Sequence, residues 1–280
     1  MASGVSLKDY QIPPSKPSAD ELNTRPAVEV KVFRNRGIKN MKDLQAPIDF
    51  GVLNFVLPGL AATDKTRTKT MFTRRAKDPF AEGETRIAYH GQLSRKKEDL
   101  ADSTRSAVVM KSFKHIGTGL NAREQYLKQM EVSTIAHFLA RAFNQSSDRP
   151  PHCSLIRVLE VCVVEEEDED NEKLGNRRFC AEDPLPDGNF EKFSNSTGHW
   201  DEDLLDEWLL RFSDFTYQAT KGYLMVTDLQ GVQNGAEFYL TDPVILCKDI
   251  LRFGNTNLGE KFMLKCINST RAYMEEKSWV

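Results

Sequence analysis

The chain has 280 residues, is 40% hydrophobic and carries a formal net charge of −3. That apolar content builds one two-lobed domain or two small domains and excludes a disordered chain. The balance gives no global basic field, so nucleic acid is not an expected partner and any anion site must be local. No run of about eighteen apolar residues offers a membrane span, and Met1 to Asp9 lack the apolar core of a signal peptide. A cytoplasmic chain with no membrane partner is expected. Its five cysteines, Cys153, Cys162, Cys180, Cys247 and Cys266, form no Cys-x-x-Cys pair and read as reduced, packed thiols.

Taken in order, residues 1 to about 26 are rich in Ser, Pro and Lys and read as a flexible tail. Val28-Glu29-Val30-Lys31-Val32 alternates strictly, which predicts a strand. Short apolar runs lie between Phe50 and Leu60. The basic stretch from Lys65 to Lys77 is either a solvated face or a contact for a phosphorylated or acidic partner. Phe80 to Leu93 reads as a strand entered from a tight turn, Ser94 to Thr104 as a hairpin loop, and Ala107 to Phe113 as the return strand. Lys111 sits inside that apolar return strand. Either the strand is an edge with Lys111 in water, or Lys111 is buried and must meet an anion.

Asn121-Ala122-Arg123-Glu124 has the form of a capping box. Tyr126, Met130, Ile135, Phe138, Leu139 and Ala142 then recur at helical spacing to about Asn144. Glu131 on this helix either pairs with Lys111 or faces solvent. Leu155 to Val164 predicts one buried strand. Glu165 to Glu172 is almost wholly acidic and predicts a surface loop. Phe179-Cys180-Ala181 leads into the proline-rich connector Glu182 to Gly188. Asp203 to Tyr217 predicts an amphipathic helix, and Lys261 to Val280 ends in another.

Between those helices lies the stretch richest in chemistry. Tyr223 to Val226 reads as a buried strand delivering Asp228-Leu229-Gln230-Gly231-Val232, where alternation would put Asp228 and Gln230 on one face. Thr241-Asp242-Pro243 follows, then the glycine-bounded loop Gly254 to Gly259. Two carboxylates and an amide oxygen are hard ligands of the kind Mg²⁺ takes. Each piece alone also occurs as an ordinary turn. A β-rich first half and a mixed second half, with a polar centre between them, predict a site for a small anionic ligand.

Together these pieces resemble the atypical protein kinases called alpha-kinases, the family of myosin heavy chain kinases and elongation-factor kinases. The likeness rests on Gly83-x-x-Arg86-x-Ala88-Tyr89, Val109-Met110-Lys111, the Tyr126 to Asn144 helix, Ala181-Glu182-x-Pro184-Leu185-x-x-Gly188-x-Phe190-x-Lys192-Phe193, Asp228-Leu229-Gln230-Gly231-Val232, Thr241-Asp242-Pro243 and Gly254-x-x-Asn257-Leu258-Gly259. The resemblance implies an α+β, two-lobed kinase-like fold. Its β-rich N-terminal lobe would span about 27–180 and its mixed C-terminal lobe about 185–280, with an ATP cleft between.

The implied activity is ATP-dependent transfer of phosphate to a protein Ser or Thr by a monomer. In the family's pattern Lys111 and Arg86 match phosphate-side cations and Glu182 the connector residue at the adenine edge. Gln230 and Asp242 match the Mg²⁺ ligands, with Asp242 also assisting the attacking hydroxyl. Asp228 matches an aspartate at the γ-phosphate that can itself accept phosphate. Gly254, Asn257 and Gly259 match the loop linked to protein substrate. The family's structural zinc is not expected, because Asp214 stands where one ligand histidine would be, no histidine follows the glycine loop, and Cys266 comes too early. Phe262, Met263, Ile267, Tyr273 and Trp279 are the expected apolar replacement. Loss of that metal keeps two alternatives in view, an ATP-binding pseudokinase and an inert interaction module.

Overall fold

The computed structural model describes residues 19–35, 38, 40, 41, 44, 66–114, 123–147, 149, 152–167 and 177–279. The Phe50 to Leu60 runs, the Asn121 end of the capping box and residues 168–172 of the acidic stretch lie outside them. Within the stretch expected as tail, Ala19–Asn23 forms a short helix, α1, with Leu22 buried, and a second short helix, α2, spans Ser103–Ser106.

The first lobe is an antiparallel sheet of β1 (Val28–Asn35), β2 (Thr66–Arg75), β3 (Ala81–Glu82), β4 (Arg86–Ser94), β5 (Ala107–Phe113), β7 (Cys162–Glu166) and β8 (Arg177–Glu182). Its order is β2-β1-β7-β8-β5-β4-β3, and β2 also pairs with β4 from Phe72↔Ser94 to Arg75↔Gly91. That extra pairing closes the sheet on itself, so β3 alone hangs outside the ring. Alternation then sends one parity inward: Val30, Val32, Met71, Leu93, Met110, Cys162, Val164, Phe179 and Ala181 form one buried cluster. The opposite parity, including Phe33, Val163 and Cys180, packs on Tyr126 and Met130 of α3 (Arg123–Asn144).

The second lobe holds a four-stranded sheet, β6-β12-β11-β9, and a two-stranded ribbon, β10-β13. Their ranges are β6 Leu155–Val158, β9 Phe190–Lys192, β10 Leu224–Thr227, β11 Gln230–Asn234, β12 Glu237–Leu240 and β13 Val244–Cys247. With α4 (Glu207–Ala219) and α5 (Gly259–Glu276) they enclose a core that includes Leu139, Phe143, Ile156, Phe193, Trp200, Phe212, Leu229 and Phe238. The lobes are therefore not contiguous in sequence. Helix α3 begins against the barrel and ends in the second core, and β6 belongs to the second lobe although it precedes β7.

Several expectations are corrected. Leu155 to Val164 is two strands in different sheets, because Leu159, Glu160 and Val161 carry the chain between lobes. Glu165 is not in a loop. It is buried in β7 and receives Arg178 at 2.8 Å, so the start of the acidic stretch is absorbed by cross-strand pairing. The amphipathic helix begins at Glu207, four residues later than its pattern, because Asp206 caps it by accepting from the Trp208 and Leu209 amides. From Thr66 to Arg75 the basic stretch forms strand β2; Arg67 and Lys69 are exposed, in keeping with a solvated face, while Arg75 lies over the Tyr89 and Phe179 rings at 4.8 and 4.9 Å.

Glu131 meets neither Lys111 nor water. Its carboxylate receives Arg252 Nη2 at 3.1 Å, and the two side chains are 2% and 10% exposed. Arg252 also donates to the Leu44 carbonyl and the Tyr223 hydroxyl, at 3.0 and 3.2 Å. Arg252→Met should cost about 3–5 kcal/mol by stripping a buried carboxylate of its guanidinium, and adding Glu131→Leu should recover part of that. Chemical denaturation of the three variants checks it.

At the outer end of β6, Arg157 grips Glu237 of β12 through two bonds of 2.8 and 2.7 Å, and Tyr239 donates to the same carboxylate. Those hydrogen bonds hold the Glu237 carboxyl down at about 2. Its folded value is depressed, so its stabilisation is present above the ordinary 4.5 and is lost as pH falls through about 2. The pair is surface-exposed and small in effect. Urea midpoints of the wild type and Glu237→Gln should differ at neutral pH and converge in acid.

Candidate functional site between the lobes

The barrel presents three site residues on its outer face. In the β4–β5 register Arg86 faces Phe113 and Ala88 faces Lys111, so Arg86 and Lys111 share one side two residues apart. Lys111 also faces Cys180 of β8, and Glu182, two residues on, ends that strand on the same side. Strands β4 and β8 flank Lys111, so the edge-strand reading fails and the buried reading holds.

The second lobe presents the acids from breaks between strands. Asp228 stands between β10 and β11 at φ 57°, and Asp242 between β12 and β13 at φ 51°. Left-handed backbone is uncommon outside glycine and least costly for Asp and Asn. The expected single strand through Asp228 and Gln230 is thus corrected: the chain turns at Asp228 and changes sheet, which brings Gln230 opposite Lys192 of β9. Gly231 follows at φ 152°, and a Cβ there would lie 1.9 Å from the Tyr239 carbonyl oxygen, so only glycine fits the motif's fourth position.

The two sets meet on Asp242. Arg86 Nη1 lies 2.9 Å from its Oδ1 and Lys111 Nζ 2.8 Å from its Oδ2, one cation to each oxygen. Lys111 Nζ is also 2.5 Å from Glu182 Oε1 and 2.8 Å from Thr241 Oγ1. Lys192 Nζ holds Asp228 Oδ1 at 3.0 Å. Gln230 Nε2 donates to the Asp242 carbonyl at 3.4 Å, a long contact. Glu182 Oε1 is thus taken by Lys111 and by the Thr241 hydroxyl.

Burial opposes every charge here, and charge pairing decides the outcome. Burial pushes the Asp242 carboxyl up, but Arg86 and Lys111 outweigh it and hold Asp242 below its ordinary value. Burial lowers Lys111, and Asp242 with Glu182 more than restores it, so the ammonium stays charged. Burial raises Glu182 and Asp228 despite their lysines. Beneath them burial pushes the Cys180 thiol up to about 12, which makes it a packing group.

A hard divalent cation fits this donor set. Asp242 Oδ1 and Asp228 Oδ1 are buried and meet their cations without hydrogen-bond alignment, and Glu182 Oε2 has no hydrogen bond. Among the described residues no three His, Cys, Asp or Glu side chains group for a metal. One carboxylate and the Gln230 amide are what Mg²⁺ needs from protein when phosphate supplies the rest.

Two contributors went unread in the sequence. Lys192 was visible only as part of a motif, and Thr241 only as the neighbour of Asp242. Their use depends on register and on the Asp242 turn. The glycine-bounded loop is not in this cluster. Its Asn257 faces inward, where Oδ1 accepts from the Cys247 and Gly259 amides and Nδ2 donates to the Asp249 and Arg252 carbonyls. Gly254 packs near Gln125 and Lys128 of α3, and Gly259 opens α5.

Asp214 and Cys266, which do not match the family's zinc ligands, make contacts of their own. Asp214 of α4 pairs with Arg271 of α5 at 2.8 Å, and Cys266 donates to the Thr197 carbonyl at 3.0 Å. Met263 and Ile267 are buried as expected and Tyr273 and Trp279 pack against the core, but Phe262 is 37% exposed and takes no part.

Comparison with known proteins agrees with this arrangement. The family model described as the alpha-kinase family matches residues 81–272. The chain is 31% identical over 205 residues to alpha-protein kinase vwkA of Dictyostelium discoideum, covering 71% of this chain and 30% of that protein. It is 30% identical over 191 residues to myosin heavy chain kinase B of the same organism, covering 68% and 23%. The chain thus spans less than a third of the length of these relatives. Among solved structures, an inactive alpha-kinase domain of myosin heavy chain kinase A complexed with ATP superposes with TM-score 0.64 at 20% identity, over 88% of this chain and 93% of that one. An alpha kinase from Entamoeba histolytica gives 0.64 at 21%, over 88% and 87%. With a two-lobed α+β fold and the family's sequence pattern across most of its length, this chain belongs to the alpha-kinase family.

Proposed function

We propose that the chain is an ATP-dependent protein Ser/Thr kinase that acts as a monomer. The observation that carries this reading is the sharing of one Asp242 carboxylate by Arg86 and Lys111 across the cleft. Two cations stand on the barrel side, and an acid and an amide stand opposite. The related domain solved with ATP supports the choice of nucleotide.

In this reading ATP enters with its phosphates toward Arg86 and Lys111 and its base toward the backbone of the Glu182 connector. Lys192 and Lys111 neutralise charge on the transferring group. Gln230 and Asp242 would hold Mg²⁺, which supplies Lewis-acid stabilisation of the phosphates. Positioning and charge neutralisation are most of what phosphoryl transfer requires. The substrate hydroxyl oxygen bonds to the γ-phosphorus as the bond to the β–γ bridging oxygen breaks, and the hydroxyl proton passes to the Asp242 carboxylate. Asp228, beside Lys192, faces the γ-phosphate. The Gly254 to Gly259 loop offers the protein-substrate side, with Asn257 serving as its internal staple.

Incubation with labelled ATP, Mg²⁺ and a basic protein should transfer label. Lys111→Met and Asp242→Ala should each lower transfer by at least about 100-fold. ATP at about 100 times its Kd should stabilise the wild type by about 2.7 kcal/mol. Stabilisation by ATP without transfer to substrate or self would sink the kinase reading and leave a binding module.

A further inference from the structure

We propose that Thr241 is a positioning residue that fixes the Lys111 ammonium in place when Asp242 is released to the incoming nucleotide. This inference rests on the nucleotide-site reading above and deepens it.

The Lys111 ammonium has three acceptors in reach: it donates to Asp242 Oδ2 and Thr241 Oγ1 and forms a close ion pair with Glu182 Oε1. A hydroxyl has one proton, and that of Thr241 goes to Glu182 Oε1 at 2.6 Å. Thr241 therefore accepts from the lysine and donates to the glutamate at once. Its hydroxyl orientation is set by charges on both sides, and it is 3% exposed, so water does not compete. The Thr241 amide donates to the Gln230 carbonyl at 3.0 Å, which ties the hydroxyl's position to the sheet of the second lobe.

The three acceptors are not equivalent during the proposed reaction. Asp242 is needed elsewhere and must loosen its grip when phosphate arrives. Glu182 comes from the same lobe as Lys111. Thr241 is the one neutral acceptor and the one that reaches from the opposite lobe without a second task. With Thr241 present, Lys111 exchanges a carboxylate oxygen for a phosphate oxygen while its hydrogen bond to Thr241 and its ion pair with Glu182 persist. Without it, the side chain is held at that moment by Glu182 alone, and its flexible stem regains rotamer freedom.

The test compares the full chain with Thr241→Val, which keeps the shape and deletes the hydroxyl, and Thr241→Ser, which restores it. ATP and adenosine are titrated in parallel by calorimetry, adenosine at millimolar concentration. Thr241→Val should weaken ATP binding by about 10- to 100-fold, the scale of one hydrogen bond to a charged group. Adenosine, which carries no phosphate, should bind all three proteins alike, and Thr241→Ser should bind ATP as the wild type does. If Thr241→Val does not fold, Thr241→Cys, whose thiol is a weak donor, should show the same selective loss. Unchanged ATP affinity in the valine variant overturns the inference. Equal losses for ATP and adenosine also overturn it, since they mark a merely structural role. Failure of the wild type to bind ATP at all would instead overturn the nucleotide-site reading.

Discussion

The carboxylate of Asp242 is the point at which the two lobes are electrically joined. Each of its oxygens faces a cation that belongs to the barrel, while its backbone belongs to the turn after β12. Such an arrangement is not explained by stability. Buried ion pairs lose in desolvation much of what they gain in attraction, and well-packed apolar groups often do as well. Both Asp242 and Asp228 also hold left-handed backbone, at a cost of roughly 1–3 kcal/mol each. A fold that places left-handed backbone and costly charges together at one spot marks that spot for chemistry and not for stability.

The lobes are also fastened mechanically, and by other residues. Helix α3 packs on the barrel through Tyr126 and Met130 and on the second core through Ile135, Leu139 and Phe143. Arg252 clamps the same helix through Glu131 and sits directly before Phe253, which is at φ 69°, and the glycine-bounded loop. Asn257 then ties that loop to β13 and to the start of α5. The loop and the interlobe helix are therefore tied to each other through consecutive residues. Where relatives' pattern would set a zinc, α4 and α5 are joined by the Asp214 to Arg271 pair and by Met263, Ile267 and their neighbours.

Most strands of the barrel and all the long helices were legible, because their periodicities are local properties of the chain. β5 spans the expected Ala107 to Phe113, and α3 ends at Asn144 as its pattern requires. What failed depended on partners distant in sequence. Leu155 to Val164 reads as one apolar run, yet its halves pair with β12 and with β1 and β8, in different sheets. Glu165 reads as part of a repelling acidic run until Arg178 is brought opposite. Lys111 was ambiguous for the same reason, since only sheet order decides whether a strand is an edge. Lys192 and Thr241 had no signal of their own: one is defined by register and the other by the turn at Asp242.

Charge balance in the cluster bears on how a nucleotide could enter. Arg86, Lys111 and Lys192 face Glu182, Asp228 and Asp242, so cations and carboxylates are matched. The site is thus no simple cationic trap for phosphate. A triphosphate arriving alone would add several negative charges to a balanced, poorly solvated pocket and would have to pull Arg86 and Lys111 from Asp242 against their attraction. Arriving with a divalent cation, it would offer Asp242 a replacement positive charge and leave Arg86 and Lys111 for the phosphates. That exchange would keep each charge paired. On this view the Arg86–Asp242–Lys111 contact is a bridge into which metal and phosphate would be inserted, and not a lock that must first be broken.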